Sequence, residues 1–275
     1  MKNIKLIILV LTGVLFTACE ETVDIDLDTA EPRLVVEASI DWIKGTDGSQ
    51  QVVKLSTTTG YYENVVPVVS NANVFITNSS NNTIFGFTEI PDTGHYISNS
   101  FVPVIGDTYV LTVEYNNETY TATETFYPVP EIKRIEQTND GGFTGEDIEV
   151  RFFFDDNGEG ENNYLTRFDT EAYPFPEYDV SDNEFFSGNE MFNFIDNEDF
   201  AAGQEVSIKL YGISRRYANF MDIVSEVNEG ESSGGPFGTT PVAVRGNLIN
   251  QTNPDNHALG YFRLCEVDEE IYIIE

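Results

Sequence analysis

Nucleophilic or metal–thiolate chemistry needs particular side chains held close together. This chain of 275 residues offers few of them, two cysteines and two histidines. A Ser or Cys nucleophile needs a base, usually histidine, within hydrogen-bond reach. His95 lies in Asp92-Thr93-Gly94-His95-Tyr96, a turn entering a strand, and His257 in Asn253-Pro254-Asp255-Asn256-His257, another turn. The expectation is that they occupy different domains. No G-x-S-x-G motif accompanies them, and two turn histidines plus one strand cysteine do not make the close ligand pairs of a zinc site. With 47 Asp and Glu residues, no acid pair stands out as the two carboxylates that a glycosidase sets around a sugar. The reading is a protein that is not an enzyme. One loop has the rudiments of a calcium site: Asp155, Asn157 and Glu159 place oxygens at alternating positions, with Gly160 at the turn. The match then breaks, since Thr166 stands where a bidentate Glu belongs and a strand precedes the loop. An acidic hairpin turn is the competing reading, and no other cofactor is implied.

Cys19 ends an apolar run and precedes Glu20 and Glu21. Lys2 and Lys5, the run Leu6 to Phe16 and the small residues Thr17-Ala18 are the parts of a secretory signal peptide over residues 1–18. The run is shorter than the roughly 20 residues of a membrane-spanning helix. Phe16-Thr17-Ala18-Cys19 resembles a bacterial lipobox, in which the cysteine is acylated, although Phe16 stands where Leu, Val or Ile is usual. An ordinary signal peptide cut further on, leaving a free thiol, is the alternative. An acylated Cys19 anchors the chain to a membrane, and acids directly after it resemble the signal for display on the outer face of the outer membrane. Acylation would leave Cys265 without a disulfide partner. Its alternating surroundings, Tyr261 to Val267, make it a buried strand thiol.

Losing Lys2 and Lys5 with the leader takes the formal charge from −33 to −35. Such a field repels phosphate backbones and excludes nucleic acid as a partner. Cations being scarce, the adjacent Arg215 and Arg216 stand out. At a helix start they oppose the macrodipole, so they pair either with chain acids or with a partner's carboxylates. Residues 136–200 hold 19 acids, two arginines and 14 Phe or Tyr. Solvated disorder is acidic but poor in aromatics, so Glu171 to Phe200 is expected as ordered loop against an apolar surface. Its aromatics Tyr173, Phe175, Tyr178, Phe185 and Phe186, with Phe192 and Phe194, either pin that loop or form a ligand or partner surface.

The elements that must position these residues are mainly strands. After an acidic tether over residues 19–31, the runs 33–40, 50–57, 71–77, 83–90, 94–98, 108–115 and 118–126 are rich in Val, Ile, Thr, Tyr and Phe and are separated by turn residues. Asn116-Asn117 reads as a tight hairpin turn. Seven short strands without helical periodicity imply an immunoglobulin- or fibronectin-like β-sandwich over 32–128. Tyr127-Pro128-Val129-Pro130 is the expected boundary to a second, β-rich domain over 129–275. Strands are expected there at 131–137, 148–155, 164–170, 204–213, 242–249, 259–267 and 271–274. The domain carries one amphipathic helix, 214–229, with Ser214 as N-cap, Tyr217, Phe220, Met221, Val224 and Val227 as its stripe, and Gly230 as its stop.

The stretches RLVVEASI (33–40), RFFFDDNGEGENNYL (151–165), LYGISRRYANFMDIV (210–224) and RGNLINQTNPDNHALGYF (245–262) resemble the domain of unknown function family 4249, across nearly all of the chain after the leader. The resemblance implies an outer-membrane lipoprotein of the Bacteroidota, exposed at the cell surface, encoded beside a TonB-dependent receptor and serving it as an accessory or in substrate capture. It supplies no catalytic residues. A surface adhesin binding protein or glycan, and a hydrolase, are the alternative functions.

Overall fold

The computed structural model describes residues 30–228 and 244–275. Pro32–Glu275 forms one compact unit. The chain is mainly β, with fifteen strands and one helix among the described residues. The strands are β1 (Leu34–Ile43), β2 (Gln51–Thr57), β3 (Asn73–Asn78), β4 (Ile84–Ile90), β5 (His95–Ser98), β6 (Thr108–Tyr115), β7 (Glu118–Thr125), β8 (Ile132–Gly141), β9 (Asp147–Asp155), β10 (Asn163–Thr170), β11 (Glu177–Asp182), β12 (Glu190–Asn197) and β13 (Glu205–Ile213). The helix α1 (Arg215–Asn228) follows, then β14 (Ile249–Asn250) and β15 (Leu259–Ile273).

Twelve strands form one sheet in the order β11-β10-β13-β15-β1-β2-β5-β4-β3-β6-β7-β14, and β12-β9-β8 form a second. The long sheet folds over on itself at β4. Ile84–Phe87 pair with β3, and Thr88–Ile90 pair with β5 in the facing layer. The result is the fibronectin-like sandwich, with Val36, Ala38 and Ile40 of β1 packed in one core with Ile76, Leu111 and Val113. Period-two alternation builds that core, because successive side chains of a strand point to opposite faces. The β6–β7 hairpin closes through Asn116 and Asn117, at φ 50° and 60°. That is the left-handed pair a two-residue hairpin turn requires.

The second core lies between the three-stranded sheet and the far half of the long one. Phe152 and Phe154 of β9 and Met191 and Ile195 of β12 meet Tyr164, Phe168, Ile208 and Leu210. Helix α1 covers the opposite face of β10, β13 and β15 with Tyr217, Ala218 and Met221, against Leu165, Tyr211, Tyr261 and Cys265. Ser214 caps it, its Oγ accepting from Tyr217 N at 3.1 Å.

The two cores part at Phe126–Val129, but the division is not linear in sequence. Leu248, Ala258, Phe262 and Leu264 return to the first core. The segments expected at 259–267 and 271–274 are one strand, β15, whose first nine residues pair in parallel with β1 and whose last seven pair with β13. One strand therefore serves both sandwiches. Two further expectations are corrected. Glu171–Phe200 is not all loop: it contains β11 and β12, whose alternation was masked by exposed edge positions and outward-facing aromatics. Of the strand expected over 242–249, only Ile249 joins a ladder among the described residues. Asn247 instead bonds Phe262 through its side chain, accepting from Phe262 N at 2.9 Å and donating to its carbonyl at 2.7 Å.

Candidate functional site

The acidic turn after β9 is organised around a residue that the calcium-loop pattern passes over. Asp156 is 4 % exposed. Its Oδ1 accepts from Tyr164 Oη at 2.6 Å and Asn162 Nδ2 at 2.8 Å. Its Oδ2 accepts from Gly188 N at 2.8 Å, Gly158 N at 2.9 Å and Asn183 Nδ2 at 3.1 Å. Burial alone would raise its pKa. The five donors outweigh burial and hold the carboxyl well below the usual carboxylate range. The Tyr164 phenol is pushed up, first by burial and then by that carboxylate. Asp156 thus fastens three pieces of chain, the 156–162 loop, β10 and the 183–188 turn. The sequence-picked oxygens do other work. Asp155 pairs with Lys133 at 2.7 Å, and Asn157 Oδ1 accepts from Glu159 N and Asn162 Nδ2, both at 2.8 Å. Among the described residues, no three His, Cys, Asp or Glu side chains converge as a metal shell would require.

Beside this knot opens a polar cleft of about 570 Å3, between the first turns of α1 and the β10–β11 edge. Glu161, Asp182, Glu184 and Asp222 line it with Arg215, Asn163 and Asn219. Arg215 pairs with Glu161 across the mouth; both are exposed, so the pair contributes only about 0–1 kcal/mol. Arg216 faces the other way. It lies near the buried Glu124, whose pKa is raised by burial against the opposing effects of hydrogen bonds from Tyr261 and Asn247 and of the Arg216 charge. Adjacent helix positions are about 100° apart, which separates the two arginines.

The outer face of the β8–β9–β12 sheet is a third feature. The Arg134 guanidinium lies 3.6 Å from the Phe153 ring centre, and Arg151 lies 4.6 Å from Phe192 and 5.7 Å from Phe194. Phe192 and Phe194 remain 49 % and 43 % exposed. Arg134 also binds Glu190, and Arg151 binds Glu149. The other sequence-picked aromatics do not gather there. Tyr173 packs on the second core and donates to Asp196 O at 3.0 Å, Phe175 is exposed in the β10–β11 connection, and Tyr178 lies under Arg167. Phe185 and Phe186 project from the 183–188 turn.

Cys19, Glu20 and Glu21 lie outside the described residues. Cys265 is free and 1 % exposed, and burial raises its pKa. His95 is on β5, and His257 lies beside Arg33 at the start of β1. The two histidines therefore share the first sandwich, because the chain returns to it after α1. No described helix is long and apolar enough to cross a membrane.

The family described as "Domain of unknown function (DUF4249)" matches residues 20–271. The chain belongs to this family. This DUF4249 chain is thus two sandwiches sharing β15, with the cleft and the arginine–aromatic face both in the second. No curated protein matches this DUF4249 chain. Among solved structures it is similar to a two fibronectin type-III domain segment from chicken tenascin, at 11 % identity and a TM-score of 0.21, covering 66 % of this chain and 90 % of that one.

Proposed function

We propose that this DUF4249 protein is an outer-membrane lipoprotein that serves a TonB-dependent receptor as a non-enzymatic accessory in substrate capture, docking through the outer face of β8–β9–β12. The anchor is Cys19, with Glu20 and Glu21 directing surface display, and the receptor comes from the family resemblance. The observation that supports docking is the exposed Phe192–Phe194 pair under Arg151, next to Arg134 over Phe153. Aromatic and arginine side chains are enriched in interface cores, where lysine and the acids are depleted. Here they stand together on a chain of formal charge −33, with their arginines locally balanced by Glu149 and Glu190.

The test is co-purification from the native membrane in mild detergent, followed by mass spectrometry. Tagged wild-type protein should bring down a β-barrel receptor. The variant Arg151→Glu/Phe192→Ser should lose the receptor while staying in the membrane fraction. Wild-type preparations free of any barrel protein would sink the receptor reading. Palmitate labelling of Cys19→Ser against wild type tests the anchor separately, and equal labelling refutes it.

A further inference from the structure

The cleft beside α1 lies on a different surface from the docking face and carries its own chemistry. Its volume, about 570 Å3, is within the range of small-ligand sites, roughly 300–1,000 Å3. Glu161 is satisfied by Arg215. Asp182, Glu184 and Asp222 line the same space with no ion-pair partner among the described residues. An anion is therefore repelled, and the whole-chain field adds to the attraction for cations.

Asn163 supplies a second, independent observation. Alternation along β10 puts it on the helix side with Leu165, while Tyr164 and Thr166 face the other way. Its backbone is paired on both sides, to Asp182 and to Ile213. The residue is only 9 % exposed, and its side-chain amide, on the cleft wall, has no hydrogen-bond partner among the described residues. No Asn163 side-chain atom is among the sealed, unpaired polar atoms, so the amide opens onto the cleft, where water or a ligand can bond it. An ammonium group has three donors and no acceptor. It satisfies both the amide oxygen and a nearby carboxylate.

The spacing of the acids decides between kinds of cation. They do not converge as a metal shell; they are distributed around the cavity, from β11 through the 183–188 turn to α1. We propose that this cleft binds a flexible organic cation with separated primary ammonium groups, Asn163 and Asp222 holding one group and Asp182 and Glu184 another. Such groups occur on free polyamines and on the lysine side chains of short peptides.

The experiment is isothermal titration calorimetry of the full-length protein in non-ionic detergent at low salt, with spermidine, with end-blocked tri-lysine and with magnesium chloride. Saturable one-to-one binding of an amine is expected, and the arm that saturates names the source. If both amines saturate, the ammonium group itself is what the cleft reads. Asp222→Asn and Asn163→Ala should each weaken binding about fivefold or more, while Asp255→Asn, an exposed acid elsewhere, should leave it within about twofold. Near-UV circular dichroism checks the fold. If Asn163→Ala unfolds, the exposed Asp222 variant carries the test. Absence of saturable amine binding overturns the proposal. So does equal weakening by Asp255→Asn, or magnesium competing as well as spermidine, since either means an unspecific response to charge. None of these outcomes bears on receptor co-purification, which depends on Arg151 and Phe192.

Discussion

Replacing Asp156 by alanine tests whether its carboxylate is the fastener of the loops around the cleft. Five donors converge on it. Three of them, Gly158 N, Gly188 N and Asn162 Nδ2, belong to residues at or near the surface, where water can take over. Two, Tyr164 Oη and Asn183 Nδ2, belong to buried residues. A buried N–H or O–H left unpaired costs about 1–3 kcal/mol; Tyr164 loses its acceptor, and Asn183 Nδ2 keeps its bond to the Gly160 carbonyl but loses its other one, so these two set the loss at about 4 kcal/mol. With a urea slope of about 2–3 kcal/mol/M for a chain this size, the midpoint should fall by about 1.5 M. The assay is urea unfolding followed by fluorescence at neutral pH. A shift below about 0.4 M would mean that the loops are held by something else. The pH dependence gives an independent check. The folded pKa is depressed below the unfolded value of about 3.9. The carboxylate's contribution is therefore fully present above about pH 4 and is lost only as pH falls further, toward the folded value. The gap between wild type and Asp156→Asn should stay constant from neutral pH down to about 4. A gap that already closes near pH 6 refutes the reasoning.

Gly260 has φ +91°, and a Cβ there would run into the Val36 carbonyl of the neighbouring strand; Gly260→Ala should cost more than about 3 kcal/mol, read as a collapse of the thermal transition. Arg263 is 8 % exposed and donates to Asp41 at 2.5 Å beneath α1. Asp41→Leu should destabilise by about 3–5 kcal/mol, because it leaves a buried charge unpaired, and Asp41→Leu/Arg263→Leu should recover part of that loss in a double-mutant cycle. If the double variant is no better than the single, the pair is not the cause. In a Cys19→Ser background, Cys265 should ignore an aromatic disulfide reagent at mildly alkaline pH and react fully in guanidinium, because burial raises its thiol pKa; rapid native labelling would contradict its position in the core.

The first sandwich was legible in the sequence because its strands are short, alternating and bounded by turn residues. Asn116-Asn117 marked a tight hairpin turn, since Asn tolerates positive φ. The helix was legible from its stripe and from Ser214, and the burial of Cys265 from the alternation around it. What escaped depends on pairing between distant parts of the chain. Nothing local in Leu259–Ile273 says that one strand will join β1 in parallel and then β13 antiparallel. Strand β12 was hidden because Phe192 and Phe194 face outward over a sheet, so its hydrophobicity does not alternate. Asp156 was missed for a different reason. A template for metal ligands looks for acids with free oxygens, whereas this acid is occupied by the chain's own donors. The Asn and Gly residues interspersed through Asn157 to Asn162 were the available signal, because side-chain amides and bare backbone amides are the donors such a carboxylate needs.

The scarcity of cations links these features. Of 14 Lys and Arg residues, Lys133, Arg134, Arg151, Arg167, Lys209, Arg215 and Arg263 are held in ion pairs. Four of those arginines are also set against aromatic rings. Positive charge is thereby tied down in sheet faces and under α1, where its geometry is fixed by strand register. Around the cleft, the acids outside ion pairs are of two kinds. Asp156 is enclosed by donors and shapes the loops; Asp182, Glu184 and Asp222 are left facing open space across a cavity that those loops define. A carboxylate near the surface can be satisfied by water, so leaving it unpaired costs little stability. It does keep a standing attraction for cations, strengthened by every other uncompensated acid on the chain. Among the described residues that line the cleft, Arg215 is the one internal competitor, and it is engaged by Glu161. The same fold that assigns its few cations to holding sheets together therefore leaves the cleft's negative charge to be neutralised from outside.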